Sequence, residues 1–167
     1  ELGLSSVATT KKYCEYLHEP YLFFYLPRFN NKLKLMNKAP KKVYVVDNGF
    51  VQSAAFNVSE NLGRLLENQV FVELLRRGYI PGQTLFYYRT RNDKEIDFVT
   101  RRGSKVEQLI QVCYDATAEK TRNREFGALA EAAEELRCDN LLVITNSENG
   151  TMEWKGRQIE MRSPEAF

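Results

Sequence analysis

Several features that define common protein classes are scarce or missing in this sequence. Its three cysteines, Cys14, Cys113 and Cys138, form no C-x-x-C pair, which argues against a structural zinc site and against a disulfide framework. The longest apolar run, residues 21–26, has the length of a strand and not of a membrane span. We therefore expect a protein of a reducing, cytoplasmic compartment with no membrane association. The chain begins at Glu1 within what reads as structured sequence, so we also expect a fragment of a longer protein.

Net charge is low as well, at +2, and its distribution is more informative than its size. Residues 1–50 contain eight Lys or Arg and four Asp or Glu, whereas residues 51–167 contain sixteen and eighteen. A basic front segment is compatible with nucleic-acid binding, but a surplus of this size is also common on surfaces that bind none. Charge alone leaves both alternatives open.

The front segment predicts a helix followed by two strands. Ser5 or Ser6 can cap a helix that runs to about His18, and the aromatic stretch 21–29 predicts a strand. Residues 32–40 predict a basic loop or hairpin arm, and residues 41–46 a second strand. This order is that of the back half of a winged helix, although any small α+β appendage would show the same pattern.

The remainder of the chain predicts a mixed α/β domain with the element order αβββαβ, followed by a hairpin. Its first helix runs from Ser59 to Arg77 and has an apolar stripe at helical spacing. Short turns separate the next three strands, so we expect an antiparallel meander. The predicted elements after the first helix are strands 84–89, 94–100 and 105–114, helix 119–137, strand 141–145 and a hairpin with turns at 149–150 and 155–156.

Two carboxylates lie where polar groups are unusual. Glu67 projects roughly 20° from Leu74 around its helix, which places it at the edge of the buried stripe. A buried carboxylate needs a partner, and the alternatives are an arginine, a metal ion or another polar group. Asp97 lies in mid-strand, where Asp is disfavoured, and strand alternation puts it opposite Ile96 and Phe98. An exposed sheet face is the alternative explanation for Asp97.

The following strand carries Gln111 and Cys113, which share one face because they are two residues apart. If the helix packs on these strands, Glu67, Asp97, Gln111 and Cys113 would converge. A buried Cys113 would otherwise be an ordinary small core residue.

In their joint order, these stretches resemble the C-terminal region of bacterial and archaeal AAA-type ATPases, an uncharacterised domain similar to PD-(D/E)XK nucleases. The resemblance covers most of the chain, and its front part looks like the tail of the winged helix that precedes this domain. The stretches that carry it are residues 42–49 (KVYVVDNG), 63–68 (GRLLEN), 73–78 (ELLRRG), 87–90 (YYRT), 95–99 (EIDFV) and 111–114 (QVCY).

The resemblance implies an αβββαβ restriction-endonuclease-like core at 48–167, preceded by part of a winged helix at 1–47. It also implies an ATPase domain earlier in the same chain, which would carry ATP hydrolysis, since no phosphate-binding G-x-x-x-x-G-K-[ST] is present here. The partners that it implies are that ATPase domain and nucleic acid, DNA in preference to RNA, with a possible homo-oligomer.

The family's helix glutamate falls on Glu67, its strand aspartate on Asp97 and its E-x-K motif on Gln111-Val112-Cys113. In the nuclease fold the metal ligands would be Glu67, Asp97, Gln111 and the backbone of Val112, with Mg²⁺ as the cofactor of an active site. Gln111 removes one negative charge, and the Cys113 thiol cannot replace an ammonium. Losing one positioned charge-stabilising group commonly costs ~10²–10³ in rate. We therefore expect a weak or inactive nuclease-like module.

Two alternatives to a weak or inactive nuclease-like module remain open from the sequence. A lysine from elsewhere, Lys94 or Lys120, would replace the missing one, which would favour an active Mg²⁺-dependent endonuclease using Glu67, Asp97 and Gln111. The domain would otherwise serve protein interaction or oligomerisation of the ATPase. In the leading interpretation a basic arm contacts the nucleic-acid backbone through Lys32, Lys34, Lys38, Lys41 and Lys42.

Overall fold

The computed structural model describes residues 6–54 and 62–167, which form a mixed α/β structure around a six-stranded sheet. The strand order is β3-β4-β5-β6-β8-β7, with β3, β4 and β5 as the antiparallel meander expected from the sequence. Strands β5, β6 and β8 run parallel, and β7 pairs antiparallel with β8 at the edge. These strands span Leu85–Arg89 (β3), Glu95–Arg102 (β4), Lys105–Cys113 (β5), Leu141–Thr145 (β6), Gly150–Trp154 (β7) and Arg157–Arg162 (β8).

Two long helices cover opposite faces of this sheet. Helix α4 (Leu62–Arg76) packs its buried stripe on one face, in a cluster that includes Phe98 and Ile110. Helix α5 (Glu119–Leu136) packs on the other face, in a cluster that includes Ile96 and Val99. The αβββαβ order expected from the sequence is therefore observed. The expected helix start at Ser59 lies outside the described residues.

The N-terminal segment adds a helix and a two-stranded sheet. Ser6 caps helix α1 (Val7–His18) by accepting a hydrogen bond from the backbone N–H of Thr9, as the sequence predicts. Strand β1 (Phe23–Leu26) pairs antiparallel with β2 (Lys42–Val45), and helix α3 (Asn48–Ala54) follows. Within the described parts of the chain, no helix is long and apolar enough to cross a membrane.

The expectation of a basic loop or hairpin arm at 32–40 is wrong. Helix α2 (Leu33–Lys38) occupies most of this stretch, and its Met36 packs against the core cluster on the α5 side. Leu, Met and Lys are good helix formers. The contact of Met36 with the core is therefore sufficient to stabilise a helix at Leu33–Lys38.

A second correction concerns the faces of β4. Phe86 pairs with Val99 and Tyr88 with Ile96, so β4 contains one more residue than β3 across this interval. This β-bulge breaks the alternation that the sequence analysis assumed. As a result Phe98 joins the α4-side cluster, whereas Ile96 and Val99 both lie in the α5-side cluster.

The N-terminal segment packs directly on the core of the main sheet. The Tyr44 ring stacks on Phe71 of α4, with centroids 4.2 Å apart and planes 9° apart, and it also contacts Phe98 of β4. Residues on both sides of position 47 therefore share one apolar cluster. The division into domains at 1–47 and 48–167 stays a prediction.

Asn68 joins β2 to α4 through a buried amide. Its Oδ1 accepts from the Val45 N–H at 2.8 Å, and its Nδ2 donates to the Val45 carbonyl at 3.0 Å and to Asn48 Oδ1 at 2.9 Å. The amide thus pairs with the backbone of β2 much as a neighbouring strand would. An apolar side chain at this position would leave both Val45 backbone groups without these partners.

We predict that Asn68→Ala lowers the free energy of unfolding by roughly 2–4 kcal/mol, because buried backbone groups lose their hydrogen bonds. Urea denaturation followed by circular dichroism measures this loss. The neighbouring, exposed Gln69 supplies the control, since Gln69→Ala should change stability by no more than about 0.5 kcal/mol. Equal effects of the two substitutions would contradict the bridging role of Asn68.

Candidate functional site

The ammonium group of Lys42 lies at the centre of three carboxylates. Its Nζ is 2.8 Å from Glu67 Oε1, 2.8 Å from Glu95 Oε1 and 2.8 Å from Asp97 Oδ1. The ammonium donates hydrogen bonds to Glu67 and Asp97 and forms an ion pair with Glu95. We call Lys42, Glu67, Glu95 and Asp97 the acidic cluster. It contains the two carboxylates, Glu67 and Asp97, that the sequence predicted to lie together.

Three elements position the acidic cluster, each through its own periodicity. Lys42 lies two residues before Tyr44 on β2, so the inward stacking of Tyr44 brings Lys42 to the same face. Glu67 lies four residues before Phe71 on α4, one helical turn away. On β4, Glu95 and Asp97 are two residues apart and both contact Lys42.

Tyr44 is the nearest polar neighbour of the cluster. Its hydroxyl donates to Glu67 Oε1 at 2.6 Å, so this oxygen accepts from both Tyr44 and Lys42. Burial raises the pKa of Tyr44, and the negative charge of Glu67 raises it further, so the phenol stays protonated and remains a donor.

The carboxylate of Asp97 is held from two sides. Oδ1 accepts from Lys42, and Oδ2 accepts from the backbone N–H of Val112 at 2.9 Å. Burial raises the pKa of Asp97 to about 7, and the charge of Glu67 adds to this rise, while the Lys42 ammonium opposes it. The environment therefore disfavours negative charge on Asp97 despite two good donors.

The pKa of Lys42 is also raised, which favours the charged form of the ammonium. Burial acts to lower its pKa, but the charges of Asp97 and Glu67 and their hydrogen bonds raise it above the ordinary value. Lys42 is therefore a permanent cation in this setting. With all three carboxylates ionised the acidic cluster carries a formal charge of −2, so one ammonium does not neutralise it.

Gln111 lies beside the acidic cluster but forms its hydrogen bonds elsewhere. Its Oε1 accepts from the backbone N–H of Asp97 at 3.4 Å, and its Nε2 donates to Glu125 Oε2 at 2.7 Å. The other oxygen of Glu125 accepts from Arg124. Arg124 is thus linked to the Asp97 backbone through Glu125 and Gln111.

Cys113 is a core residue on the α5 side of the sheet. It is 5% exposed and belongs to the α5-side cluster, and its thiol donates to the Asp115 carbonyl at 3.2 Å. Burial raises the pKa of Cys113 to about 11, which keeps the thiol neutral. Gln111 and Cys113 do share one face, as predicted, but that face points to α5, whereas Val112 packs on the α4 side.

Lys94 and Lys120, the lysines proposed from chain order, are not in the acidic cluster. Lys94 pairs with Glu131 of α5 at 3.0 Å, and Lys120 is exposed near the start of α5. Sequence reasoning placed Lys42 in the basic arm with Lys32, Lys34, Lys38 and Lys41. Those four side chains are exposed, whereas only 19% of the Lys42 side chain is exposed.

The residues that sequence reasoning missed are Lys42 and Glu95 as neighbours of Glu67 and Asp97. A period-two signal was present in both strands, since Lys42 precedes Tyr44 and Glu95 precedes Asp97 by two residues. The N-terminal strand was assigned to a separate unit, so its lysine was not considered as a partner of α4 and β4.

The arrangement is suited to holding one cation among three carboxylate oxygens. The 2.8 Å distances are those of charge-assisted hydrogen bonds to an ammonium, whereas Mg²⁺ requires oxygen ligands at about 2.0–2.1 Å. Within the described residues, no group of three or more His, Cys, Asp or Glu side chains has the arrangement of a metal site. The metal-ligand roles of Glu67, Asp97, Gln111 and Val112 stay predictions.

We predict that Lys42→Met lowers the free energy of unfolding by roughly 3–5 kcal/mol at pH 8, because it leaves three carboxylates without their shared cation. The loss should shrink towards pH 5. Burial and the charge of Glu67 raise the pKa of Asp97, and the variant lacks the ammonium that opposes this rise, so Asp97 is protonated as the pH falls and the uncompensated charge is reduced. Urea denaturation at pH 5 and pH 8 measures both effects. The exposed neighbour Lys41, replaced by Met, is the control, and a pH-independent loss at Lys42 would contradict this account.

Two curated proteins share sequence with this chain, and both are described as uncharacterized. The protein from Methanocaldococcus jannaschii is 40% identical over 140 residues, which is 83% of this chain and 30% of that protein. The protein from Haemophilus influenzae is 33% identical over 107 residues, which is 64% of this chain and 25% of that protein. The chain therefore spans less than a third of the length of these relatives. No solved structure matches it.

A family model described as a domain of unknown function, DUF4143, matches residues 62–162, from the first described residue of α4 to the last residue of β8. The match contains Glu67, Glu95 and Asp97, whereas Lys42 and Tyr44 lie before it. Because it covers more than half of the sequence, the chain belongs to the DUF4143 family.

Proposed function

We propose that this chain is a nuclease-like, nucleic-acid-associated module of an AAA-type ATPase, and that its catalytic activity is impaired. The observation that carries this proposal is the position of the Lys42 Nζ, 2.8 Å from each of Glu67, Glu95 and Asp97. The carboxylates that would bind a divalent metal ion in a nuclease are here arranged around an internal ammonium. Binding such an ion would require Lys42 to leave.

The residues at the E-x-K position support the same conclusion. Gln111 replaces a carboxylate by an amide, and that amide is hydrogen-bonded to Glu125 and to the Asp97 backbone. Cys113 contributes a neutral, buried thiol on the α5 side. The residues at this position therefore add neither the negative charge nor the ammonium that this chemistry uses.

The order of elements supports the nuclease-like part of the proposal. Helix α4, the meander β3-β4-β5, helix α5 and strand β6 follow one another as in a PD-(D/E)XK core, with Glu67 on the helix and Asp97 on the second strand. The association with an ATPase domain is supported by the joint order of sequence motifs. It is also compatible with the length of the two relatives, most of which lies outside the match.

A second candidate function is an active Mg²⁺-dependent endonuclease, and one observation favours it. Lys42 places an ammonium beside Glu67 and Asp97, which is the group that the Gln111-Val112-Cys113 stretch lacks. Glu95 likewise supplies a carboxylate where Gln111 does not. In this alternative Lys42 would release its carboxylates when Mg²⁺ binds and would then stabilise the charge developing on the phosphate.

We predict that the wild-type protein does not nick supercoiled plasmid DNA in Mg²⁺ or Mn²⁺ above the level of Asp97→Ala, because Lys42 occupies the acidic cluster. Agarose-gel conversion of supercoiled to open-circular DNA measures this. Metal-dependent nicking by the wild type that both Asp97→Ala and Lys42→Met abolish would instead establish the second candidate. Lys105→Met is a matched lysine control at the start of β5.

We predict that the protein binds duplex DNA weakly and with a strong dependence on salt, because lysine and arginine contacts to phosphates release counterions. Each such contact should add about −0.9 to the slope of log K against log[salt]. Fluorescence anisotropy with a labelled duplex between about 25 and 250 mM NaCl measures this slope. Absence of binding at the lowest salt would contradict the proposed association with nucleic acid.

A further inference from the structure

The two edges of the six-stranded sheet differ in how far the chain covers them. At the β3 edge, the Phe29 N–H donates to the Tyr87 carbonyl at 2.6 Å, and the Tyr87 N–H donates to the Pro27 carbonyl at 3.1 Å. The Arg28 guanidinium also donates to the Arg89 carbonyl at 3.0 Å. Backbone groups along the outer side of β3 therefore already have partners, and this edge is closed to another strand.

Strand β7, at the other edge, directs backbone groups away from the sheet. The turn at residues 155–156 has positive φ at both positions, 50° and 76°, so a two-residue turn of type I′ joins β7 to β8. In such a hairpin the flanking pair, Trp154 and Arg157, is hydrogen-bonded, and hydrogen-bonded pairs alternate along the ladder. Thr151 and Glu153 consequently direct their N–H and C=O groups away from β8.

No part of the described chain covers these outward groups. Thr151 and Glu153 are exposed, and across residues 6–54 and 62–167 their backbone groups form no hydrogen bond outside the hairpin. Strand β7 also lacks most of the features that protect a sheet edge, because it holds no proline, pairs with β8 without a bulge and has Glu153 as its one charged residue. The β7 edge is therefore open to pairing with another strand.

The side chains of β7 divide between the two faces of the sheet. Met152 and Trp154 contact the α5-side cluster, and the Trp154 ring packs edge-on against Phe126 of α5 at 5.6 Å between centroids. Strand alternation puts Thr151 and Glu153 on the opposite face. Met152 and Trp154 are only half-buried, although they contact the core. A further strand beside β7 would bury more of both apolar side chains.

We propose that a second copy of this chain pairs with this edge, β7 against β7 in antiparallel orientation, about a two-fold axis at Met152. Thr151 of each copy then lies opposite Glu153 of the other, and each of these pairs exchanges both of its backbone N–H···O bonds. The two sheets join into one continuous sheet. Because the axis is perpendicular to that sheet, the α5 helices of both copies lie on the same face.

The sequence of β7 is complementary to itself in this register. On the α5 face, Met152 lies opposite Met152 of the second copy and Trp154 lies opposite Gly150. A Cβ at Gly150 would meet no heavy atom within 4 Å, so this position has open space beside which an aromatic ring can pack. On the other face each Glu153 carboxylate lies opposite a Thr151 hydroxyl and not opposite a second carboxylate. One short strand therefore supplies both halves of the interface.

The neighbouring registers are less favourable. A shift by two residues in one direction places Glu153 opposite Glu153 of the second copy, and like charges directly opposite each other destabilise a pair of strands. A shift by two in the other direction moves Glu153 past the start of the other strand, opposite Asn149. The Asn149 side chain is already engaged, since its Oδ1 accepts from the Ser163 N–H at 2.8 Å. The register centred on Met152 therefore uses both outward residues of β7.

The first test is the oligomeric state of the wild-type protein. The interface comes from a strand of 5 residues, so we expect a weak dimer whose population rises with protein concentration. Sedimentation velocity between about 10 µM and about 1 mM protein measures this equilibrium. A monomer throughout this range would overturn the proposal.

The second test removes the outward N–H groups. Thr151→Pro and Glu153→Pro should each weaken the dimer by about tenfold or more, because each variant loses an intermolecular hydrogen bond on both copies while the β7–β8 ladder keeps its own. The matched controls Thr151→Ala and Glu153→Ala keep these N–H groups and should weaken it by less than about threefold. Circular dichroism melts check that the variants fold. A dimer that both proline variants leave intact would place the interface elsewhere and overturn the proposal.

The third test fixes the register. Met152→Cys places one thiol of each copy at the two-fold axis, in a pair without mutual backbone hydrogen bonds, where Cα atoms lie ~4.5 Å apart and a disulfide can form. We expect mild oxidation to give a covalent dimer on non-reducing gels. Gln158→Cys, at an exposed position of β8, and the wild type are the controls and should give none. Equal cross-linking by Gln158→Cys, or none by Met152→Cys, would overturn this pairing.

Discussion

One ammonium shared by three carboxylates is the interaction on which this structure depends. Glu67, Glu95 and Asp97 come from a helix and a strand that would repel one another through these groups if Lys42 were absent. Removing charged groups from water is costly, and such an arrangement is stable only when its hydrogen bonds are nearly complete. Here the ammonium donates to Glu67 and Asp97 and forms an ion pair with Glu95, Tyr44 adds a second donor to Glu67, and the Val112 backbone adds one to Asp97.

The same interaction makes the N-terminal segment part of the site. Strand β2 supplies Lys42, its Tyr44 stacks on Phe71 of α4, and Asn68 of α4 pairs with the β2 backbone. Residues 42–45 thus provide the cation of the acidic cluster, the ring that stacks on Phe71 and the backbone groups that pair with Asn68. A displacement of this strand would remove the Lys42 ammonium from the three carboxylates. The front segment is therefore a structural component of the acidic cluster.

Much of the fold was predictable from the sequence, because helix and strand periodicity are local signals. The helix around Leu66 and Leu74, the meander and the buried strand β6 follow from apolar spacing alone. The meeting of Glu67 with Asp97 followed from the expected packing of that helix on the sheet. The identity of their cation did not follow, because Lys42 arrives through a tertiary contact 25 residues away in sequence from Glu67. The bulge in β4 was also missed, since a one-residue register shift leaves no signal in hydrophobic alternation.

The extra residue in β4 has a consequence for how this protein can vary. It places the Asp97 carboxyl group and the Phe98 ring next to each other on the surface that faces α4. The carboxylate is linked to the aromatic rings through Lys42 and Glu67, because Glu67 also accepts from the hydroxyl of Tyr44, whose ring stacks on Phe71. A change of ring size at Phe71 would therefore disturb the hydrogen bond from Tyr44 to Glu67. Substitutions in this aromatic group are therefore expected to be accompanied by substitutions in or beside the acidic cluster.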